Sequence, residues 1–192
     1  MKLRYRWRNR RLPHPQRSEL NAFAAAAARA AGLDELREWY LEIDFVGDRN
    51  MTRLNREIVG HLGTTDVITV SYFDDPESFF PGDTGVELFV NADIAAREGA
   101  KRGTGYPFEM ALYVVHGLLH SAGEDDLAPE TRRRMRRRER EVLAAVRAAG
   151  IDFSRVFPPP PSGEPMPPQE TQPASGGNAA AEALKEESDT LR

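Results

Sequence analysis

Four segments of the chain carry the apolar pattern of β-strands. Residues 3–8 alternate apolar residues with arginines, and residues 41–46 alternate in the same way. A period of two predicts a strand with one buried and one solvated face. Residues 67–72 and 87–90 are rich in β-branched and aromatic residues, which also favour strands. The exposed face of the first strand is expected to be a row of arginines.

The segments between and after these strands have helical periodicity. The predicted helices cover residues 18–32, 51–58, 93–102, 108–122 and 129–149. Ser18 is the candidate N-cap of the first helix and Gly32 its stop. The apolar helix over residues 108–122 is expected to be central. This order of elements predicts an α+β fold in which a small mixed sheet packs against helices.

The composition changes abruptly after residue 157. Residues 1–155 are predicted to form a single domain, and residues 156–192 a disordered tail that is rich in proline and acidic. The tail has too few large apolar residues to offset the entropy that ordering would cost. A short helix near residues 179–185 would be marginal in water.

Composition also excludes several classes of protein. The chain has no cysteine, which rules out thiolate zinc sites, disulfides and a cysteine nucleophile. No segment approaches the roughly 20 consecutive apolar residues that span a bilayer. The alanine-rich residues 22–31 do not have the pattern of a secretory signal. We therefore expect a cytoplasmic protein with no membrane partner.

Three potential metal ligands lie close together near the end of the central helix. His116 and His120 are four residues apart, so a helix projects both imidazoles from one face. Gly123 can end that helix and let the chain bring Asp126 back toward them. Three protein ligands leave a position open, as in catalytic zinc sites. The alternative is a pair of hydrogen-bonded histidines in the core.

The residue after the first histidine is Gly117, whereas zinc peptidases of the H-E-x-x-H type carry a glutamate there as general base. A metal-dependent hydrolase of another substrate, such as a peptide bond, is therefore the less favoured enzyme. Glycine would instead allow another chain segment or the substrate to approach the metal closely.

The sequence resembles the YbeY endoribonucleases, which are also described as rRNA maturation factors. The matching positions are residues 116–120, Gly123, Asp125, Leu54, Asn55, residues 65–69, residues 87–93, Met135, Glu139, Val142 and Leu143. They occur in the family's order and span roughly residues 1–155. Asp126 stands where the third histidine of the family's H-G-x-L-H-x-x-G-x-D-H signature lies.

The resemblance implies an α+β fold and a Zn²⁺ ion held by His116, His120 and Asp126. It also implies endonucleolytic cleavage of single-stranded RNA in ribosomal RNA maturation and ribosome quality control. The implied partners are ribosomal RNA, the ribosome through its small subunit, and ribosome-associated proteins.

One departure from the family bears on catalysis. Val59 occupies a position where the family tends to carry an arginine. Arg56, three residues earlier, or His61, shortly after, could take over a phosphate-contacting role, and we name both as catalytic candidates. For His61 the alternative is an ordinary loop histidine. This departure keeps open an RNA-binding accessory protein whose metal is mainly structural.

Arginines are concentrated in two segments. Seven lie within residues 132–140, and others are Arg4, Arg6, Arg8, Arg10 and Arg11. Together they could form a phosphate-binding footprint. Seven arginines on one helix cannot share a face, so part of the run is expected to be solvated surface around an inward-facing Met135.

Two further sets of polar residues have local interpretations. Glu124 or Asp125 could orient a water or accept its proton, but roles in capping or at the solvated surface are favoured. For Thr65 and Asp66, a turn that feeds the following strand is favoured.

Overall fold

The computed structural model describes residues 1–9, 11–33, 39–73 and 85–160. Arg10, most of the predicted tail and its predicted short helix lie outside the described residues. No helix among the described residues is long and apolar enough to cross a membrane.

The four predicted strands form one mixed sheet. They are β1 (Lys2–Trp7), β2 (Tyr40–Val46), β3 (Val67–Ser71) and β4 (Gly85–Asn91). The strand order is β1-β2-β4-β3. β1, β2 and β4 are parallel, and β3 is antiparallel to β4. β3 therefore lies at one edge and β1, with its exposed basic face, at the other.

In the part of the chain that the structure describes, six α-helices accompany the sheet. They are α1 (Arg17–Ala31), α2 (Asp48–Leu54), α3 (Ala92–Arg102), α4 (Tyr106–Ser121), α5 (Pro129–Ala148) and α6 (Phe153–Val156). A single π-helical turn, Asn55–Val59, continues α2. The predicted α+β fold class is confirmed.

Three details differ from the sequence-based prediction. The N-cap of α1 is Gln16, and Ser18 lies inside the first turn, because the helix begins at Arg17. The predicted helix over residues 51–58 begins earlier and ends in a π-turn. α6 was not predicted, because four residues are too few to show a periodicity; Asp152 caps it by accepting from the Ser154 amide.

α4 is the central helix, as predicted. It packs against β3 and β4 on one side and against α1, α3, α5 and α6 on others. Val114, Val115, Leu118 and Leu119 are fully buried. Burying one such side chain stabilises the fold by roughly 1.5–3 kcal/mol. The position of the α4 C-terminal turn is therefore fixed by packing on both sides.

Candidate metal centre

In the last turns of α4, the imidazole rings of His116 and His120 lie edge to face. His116 and His120 project from the same side of the helix, with ring planes at 90° and ring centroids 4.5 Å apart. Their Nε2 atoms are 2.9 Å apart. Both side chains are recessed, being 19% and 30% exposed.

The chain after α4 returns a carboxylate to this pair. Gly123 has φ +89°, and its amide donates to the carbonyl of His120, which ends the helix as predicted. Oδ2 of Asp126 then lies 3.9 Å from Nε2 of His116, and Oδ1 of Asp126 lies 3.9 Å from Nε2 of His120. The loop is held from α5, because Arg132 donates to the carbonyls of Asp126 and Leu127.

His116, His120 and Asp126 therefore form a group that could hold a metal ion, with ligand atoms within 4.8 Å of one another. Ligands at about 2.0–2.2 Å from one zinc ion in tetrahedral arrangement lie roughly 3.3–3.6 Å apart. The observed separations bracket that value. Small side-chain adjustments would bring all three ligand atoms onto one ion.

The hydrogen bonds on the far sides of the rings favour metal binding. Nδ1 of His116 lies 2.7 Å from a Glu139 carboxylate oxygen, and Nδ1 of His120 lies 2.9 Å from the carbonyl oxygen of Glu124. Both partners are acceptors, so each Nδ1 carries the proton and donates it. In the neutral rings, the lone pairs of the two Nε2 atoms then point toward each other and repel. A cation bound between the two atoms would remove this repulsion.

A proton competes with a metal for this position. Burial lowers the pKa of His116, but the hydrogen bond with Glu139 and the negative charges of Glu139, Asp66 and Asp126 together raise it by more, so this pKa lies above its ordinary value. Since a histidine must be unprotonated at the ligating nitrogen to bind a metal, affinity is expected to fall as the pH falls through that pKa.

Replacing Glu139 with glutamine should weaken metal binding by roughly 10–100-fold, the usual cost of losing an outer partner of a ligating histidine. The amide keeps the size of the side chain but removes the charge, and it can present its NH₂ group to Nδ1. Titration of the metal-free protein with zinc against a competing chelator measures the change.

Glu141→Gln is the matched control, since Glu141 is exposed and pairs only with Arg137 and Arg138 among the described residues. Its zinc affinity should equal that of the wild type. Equal affinities in all three proteins would show that Glu139 does not support the ligand.

The metal group lies in a cleft of about 500 Å³. The cleft is lined by Asn55, Val59, His61, residues 65–69, Ser71, His116, His120 and Asp126. Of the two catalytic candidates, the structure brings His61 to this cleft. Asn55 shapes the wall, because its Nδ2 donates to the carbonyl of Gly63 and its own carbonyl accepts from the amide of His61.

Arg56, the other catalytic candidate, lines a different cavity. Its separation from Val59 follows from the π-helical turn that contains both. A π-turn is wider than an α-turn, so three residues cover much less than a full turn. Asn55 and Val59 consequently share the metal cleft, while Arg56 faces away from it.

The acidic residues beside the metal group have structural partners. Glu124 is 2.6 Å from Nε of Arg134, and Asp125 accepts from the amide of Leu127. Asp66 accepts from Thr65 and from the amide of Val67, as the turn interpretation predicted. Thr65 and Asp66 nonetheless also line the cleft.

The arginines of α5 are divided among several tasks. Arg132, Arg134 and Arg138 contact other parts of the chain. Arg136, together with Arg132, lines a cavity of about 290 Å³ that shares His116 and Asp126 with the metal cleft. Met135 is buried, as predicted. The run is therefore partly structural and partly adjacent to the metal group.

Asn91 supports the loop that lines the cleft, a role that its sequence position did not predict. It is fully buried. Its Nδ2 donates to Thr64 Oγ1 and to the carbonyl of Thr65, while its Oδ1 caps α3 by accepting from the amides of Asp93 and Ile94. An asparagine directly before a helix is a recognisable N-cap signal. Its second role depends on tertiary contacts.

The role of Glu139 was also not predicted. A signal existed, since Glu139 follows the buried Met135 by four residues and so shares its inward face. Only the packing of α5 against α4 shows that this face meets His116.

Comparisons with known proteins identify related sequences. The family model described as Endoribonuclease YbeY matches residues 8–147. Curated proteins with that name include one from Chlorobium phaeovibrioides, 33% identical over 56% of this chain and 68% of its own length. Others are from Elusimicrobium minutum, 33% identical over 59% and 78%, and Rhodopirellula baltica, 35% identical over 71% and 66%.

Among solved structures, a solution structure of a protein from Thermotoga maritima matches 77% of this chain and 93% of its own, with a TM-score of 0.48 and 20% identity.

Proposed function

This chain belongs to the family of YbeY endoribonucleases and is a hydrolytic endoribonuclease, and from that premise we propose that it uses zinc to cleave single-stranded RNA. We further propose that the substrate is ribosomal RNA, cut in the cytoplasm during maturation and ribosome quality control. The partners in this proposal are the small ribosomal subunit and ribosome-associated proteins.

The observation that carries the proposal is the convergence of three ligand atoms in the cleft. Both histidines are tied at Nδ1 to acceptors, which leaves their Nε2 atoms available to one cation. Two imidazoles and a carboxylate suit zinc. A zinc ion held there would supply Lewis-acid catalysis at the phosphodiester and activate water for hydrolysis.

The residues around the metal group can then bind and orient the strand. His61 lines the same cleft, where it could donate a hydrogen bond to a phosphoryl oxygen or move a proton. Arg136 lines the adjoining cavity and places a positive charge near the metal group. Both are exposed.

The position of the metal-binding side chains inside a cleft supports a single-stranded substrate. The histidines lie inside a cleft rather than on a protruding surface. An unpaired strand can bend its backbone into such a cleft and splay its bases apart, whereas an A-form duplex is rigid and recognised by its outer shape. We therefore propose that base pairing protects RNA from cleavage.

Chelation should abolish cleavage, and zinc should restore it. Purified protein is incubated with single-stranded fragments of ribosomal RNA. The protein is used in three states: as isolated, after chelation of its metal, and after zinc has been added back. The same fragment annealed to its complement is the matched control and should stay intact. RNA binding without cleavage in every condition would contradict the proposal and favour an accessory protein with a mainly structural metal.

A further inference from the structure

A second cavity, of about 640 Å³, lies beside the metal cleft, and half of its lining residues are arginines. We call it the basic cavity. Its lining residues are Arg8, Asn9, Arg11, Gly47, Asp48, Arg49, Asn50, Arg53, Arg56 and Asp93. None of them is aromatic or large and apolar, so the cavity is suited to a charged ligand.

Three of the five arginines carry charge that no carboxylate among the described residues neutralises. Arg8 pairs with Asp44, and Arg53 pairs with Glu57. Arg11, Arg49 and Arg56 are exposed. Among the described residues they have no ion-pair partner. Three free guanidinium groups around one cavity attract an anion.

The two carboxylates of the basic cavity are already engaged. Asp48 faces the guanidinium of Arg97 at 2.7 Å and accepts from Asn91. Asp93 accepts from Asn9 at 2.7 Å and from the amide of Asp48 at 3.1 Å. Both are buried, being 4% and 7% exposed. They brace the floor of the cavity rather than compete for the exposed arginines.

Asn9 also fixes one side of the cavity. Its Oδ1 accepts from the backbone amides of Arg11 and Leu12. Since Asn9 is buried and bonded to Asp93, the backbone that carries Arg11 is anchored to the start of α3. The arginine cluster thus rests on a rigid scaffold, which lowers the cost of ordering it around a ligand.

The basic cavity and the metal cleft share one short wall. Asn55 and Val59 of the π-turn line the metal cleft, and Arg56 of the same turn lines the basic cavity. A chain that lies in the metal cleft can therefore continue over this turn and reach the arginines. Guanidinium groups match phosphate oxygens with paired hydrogen bonds.

We propose that the basic cavity is a phosphate-binding site for the RNA strand whose cleaved bond lies in the metal cleft. Arg11, Arg49 and Arg56 contact backbone phosphates a short distance along the strand and position it. Contacts to backbone phosphates carry no sequence information, so this site would not select a base sequence. This inference rests on the proposed function, and it gives Arg56 a positioning role away from the reacting atoms.

The test compares RNA binding by three full-length, metal-loaded proteins. They are the wild type, a variant with Arg11→Gln, Arg49→Gln and Arg56→Gln, and a control with Arg133→Gln, Arg137→Gln and Arg140→Gln. The control removes the same charge from exposed positions of α5. The probe is a 2′-O-methyl single strand, checked on a gel to be intact, and its dissociation constant is measured against salt concentration.

The basic-cavity variant should lose about 0.7 in the slope of log K against log salt for each arginine that contacts a phosphate. The control should change less. Equal losses in the two variants would overturn the proposal, because they would reflect net charge rather than a site. A further variant, with Arg11→Lys, Arg49→Lys and Arg56→Lys, keeps the positive charges and should retain most of the slope. Its result separates loss of charge from a folding defect caused by substitution at these positions.

A second arm distinguishes a strand from free phosphate. Inorganic phosphate is titrated into each protein at constant ionic strength. If the basic-cavity variant lost phosphate binding while keeping wild-type affinity for the strand, the site would serve a free anion and the proposal would fail. Because no cleavage is read, failure of the nuclease proposal would show in the chelation experiment and not here.

Discussion

The His120→Ala protein is expected to lose bound zinc and RNA cleavage together. His120 supplies one of three ligand atoms, and its loss leaves one imidazole and one carboxylate. Loss of an outer partner costs roughly 10–100-fold in metal affinity or activity, and loss of a ligand should cost more. Metal content of the purified protein and the initial rate of cleavage of a single-stranded rRNA fragment measure the two effects.

His14→Ala is the matched histidine control. His14 is exposed and packs against the ring of Trp7, at a centroid distance of 5.4 Å, and it does not line the metal cleft. This variant should keep its metal and its rate. If His120→Ala cleaved at the wild-type rate, or lost cleavage while keeping wild-type zinc affinity, the assignment of His120 as a ligand would be wrong.

The local elements could be predicted because their signals are local. The alternation in β1 reflects burial of one face, and Gly32 and Gly123 both adopt positive φ where the helices before them end. The grouping of the metal ligands was predictable for the same reason. His116 and His120 are one helical turn apart, and only a short loop separates them from Asp126.

The arrangement around the ligands could not be predicted, because it depends on contacts between distant segments. β4 inserts between β2 and β3, and nothing in the composition of these strands specifies that order. The partner of His116 comes from another helix, and Asn91 reaches the loop before β3 only once β4 is in the sheet. Non-local pairing of this kind leaves no periodic signal.

The π-turn determines which residues of this segment share the metal cleft. A regular α-helix over residues 51–58 would place Arg56 close to the face of Val59. The wider turn instead sends Arg56 to the basic cavity and leaves His61 as the catalytic candidate in the metal cleft. Arg56 and Val59 therefore line different cavities, and the roles of Arg56 and His61 stay predictions.

Gly117→Ala is the second change with a large expected effect. Alanine normally stabilises a helix interior by about 0.5–1 kcal/mol relative to glycine. At Gly117, however, a Cβ atom would lie 2.6 Å from Cδ2 of Leu88 and 3.0 Å from Oγ1 of Thr69. Leu88 is 1% exposed and has little room to move. Overpacking of this kind costs about 1–3 kcal/mol.

Overpacking should therefore outweigh helix propensity, and the variant should unfold at lower denaturant concentration. Because α4 would be displaced from β3 and β4, His116 and His120 should also bind zinc more weakly. A double-mutant cycle with Leu88→Ala isolates the cause. Leu88→Ala alone should cost about 2–5 kcal/mol.

In the double variant the alanine at residue 117 occupies space that Leu88 has vacated, so the combined loss should be smaller than the sum of the two single losses. Strictly additive losses would mean that close approach of α4 to the sheet is not the reason for glycine beside the first ligand.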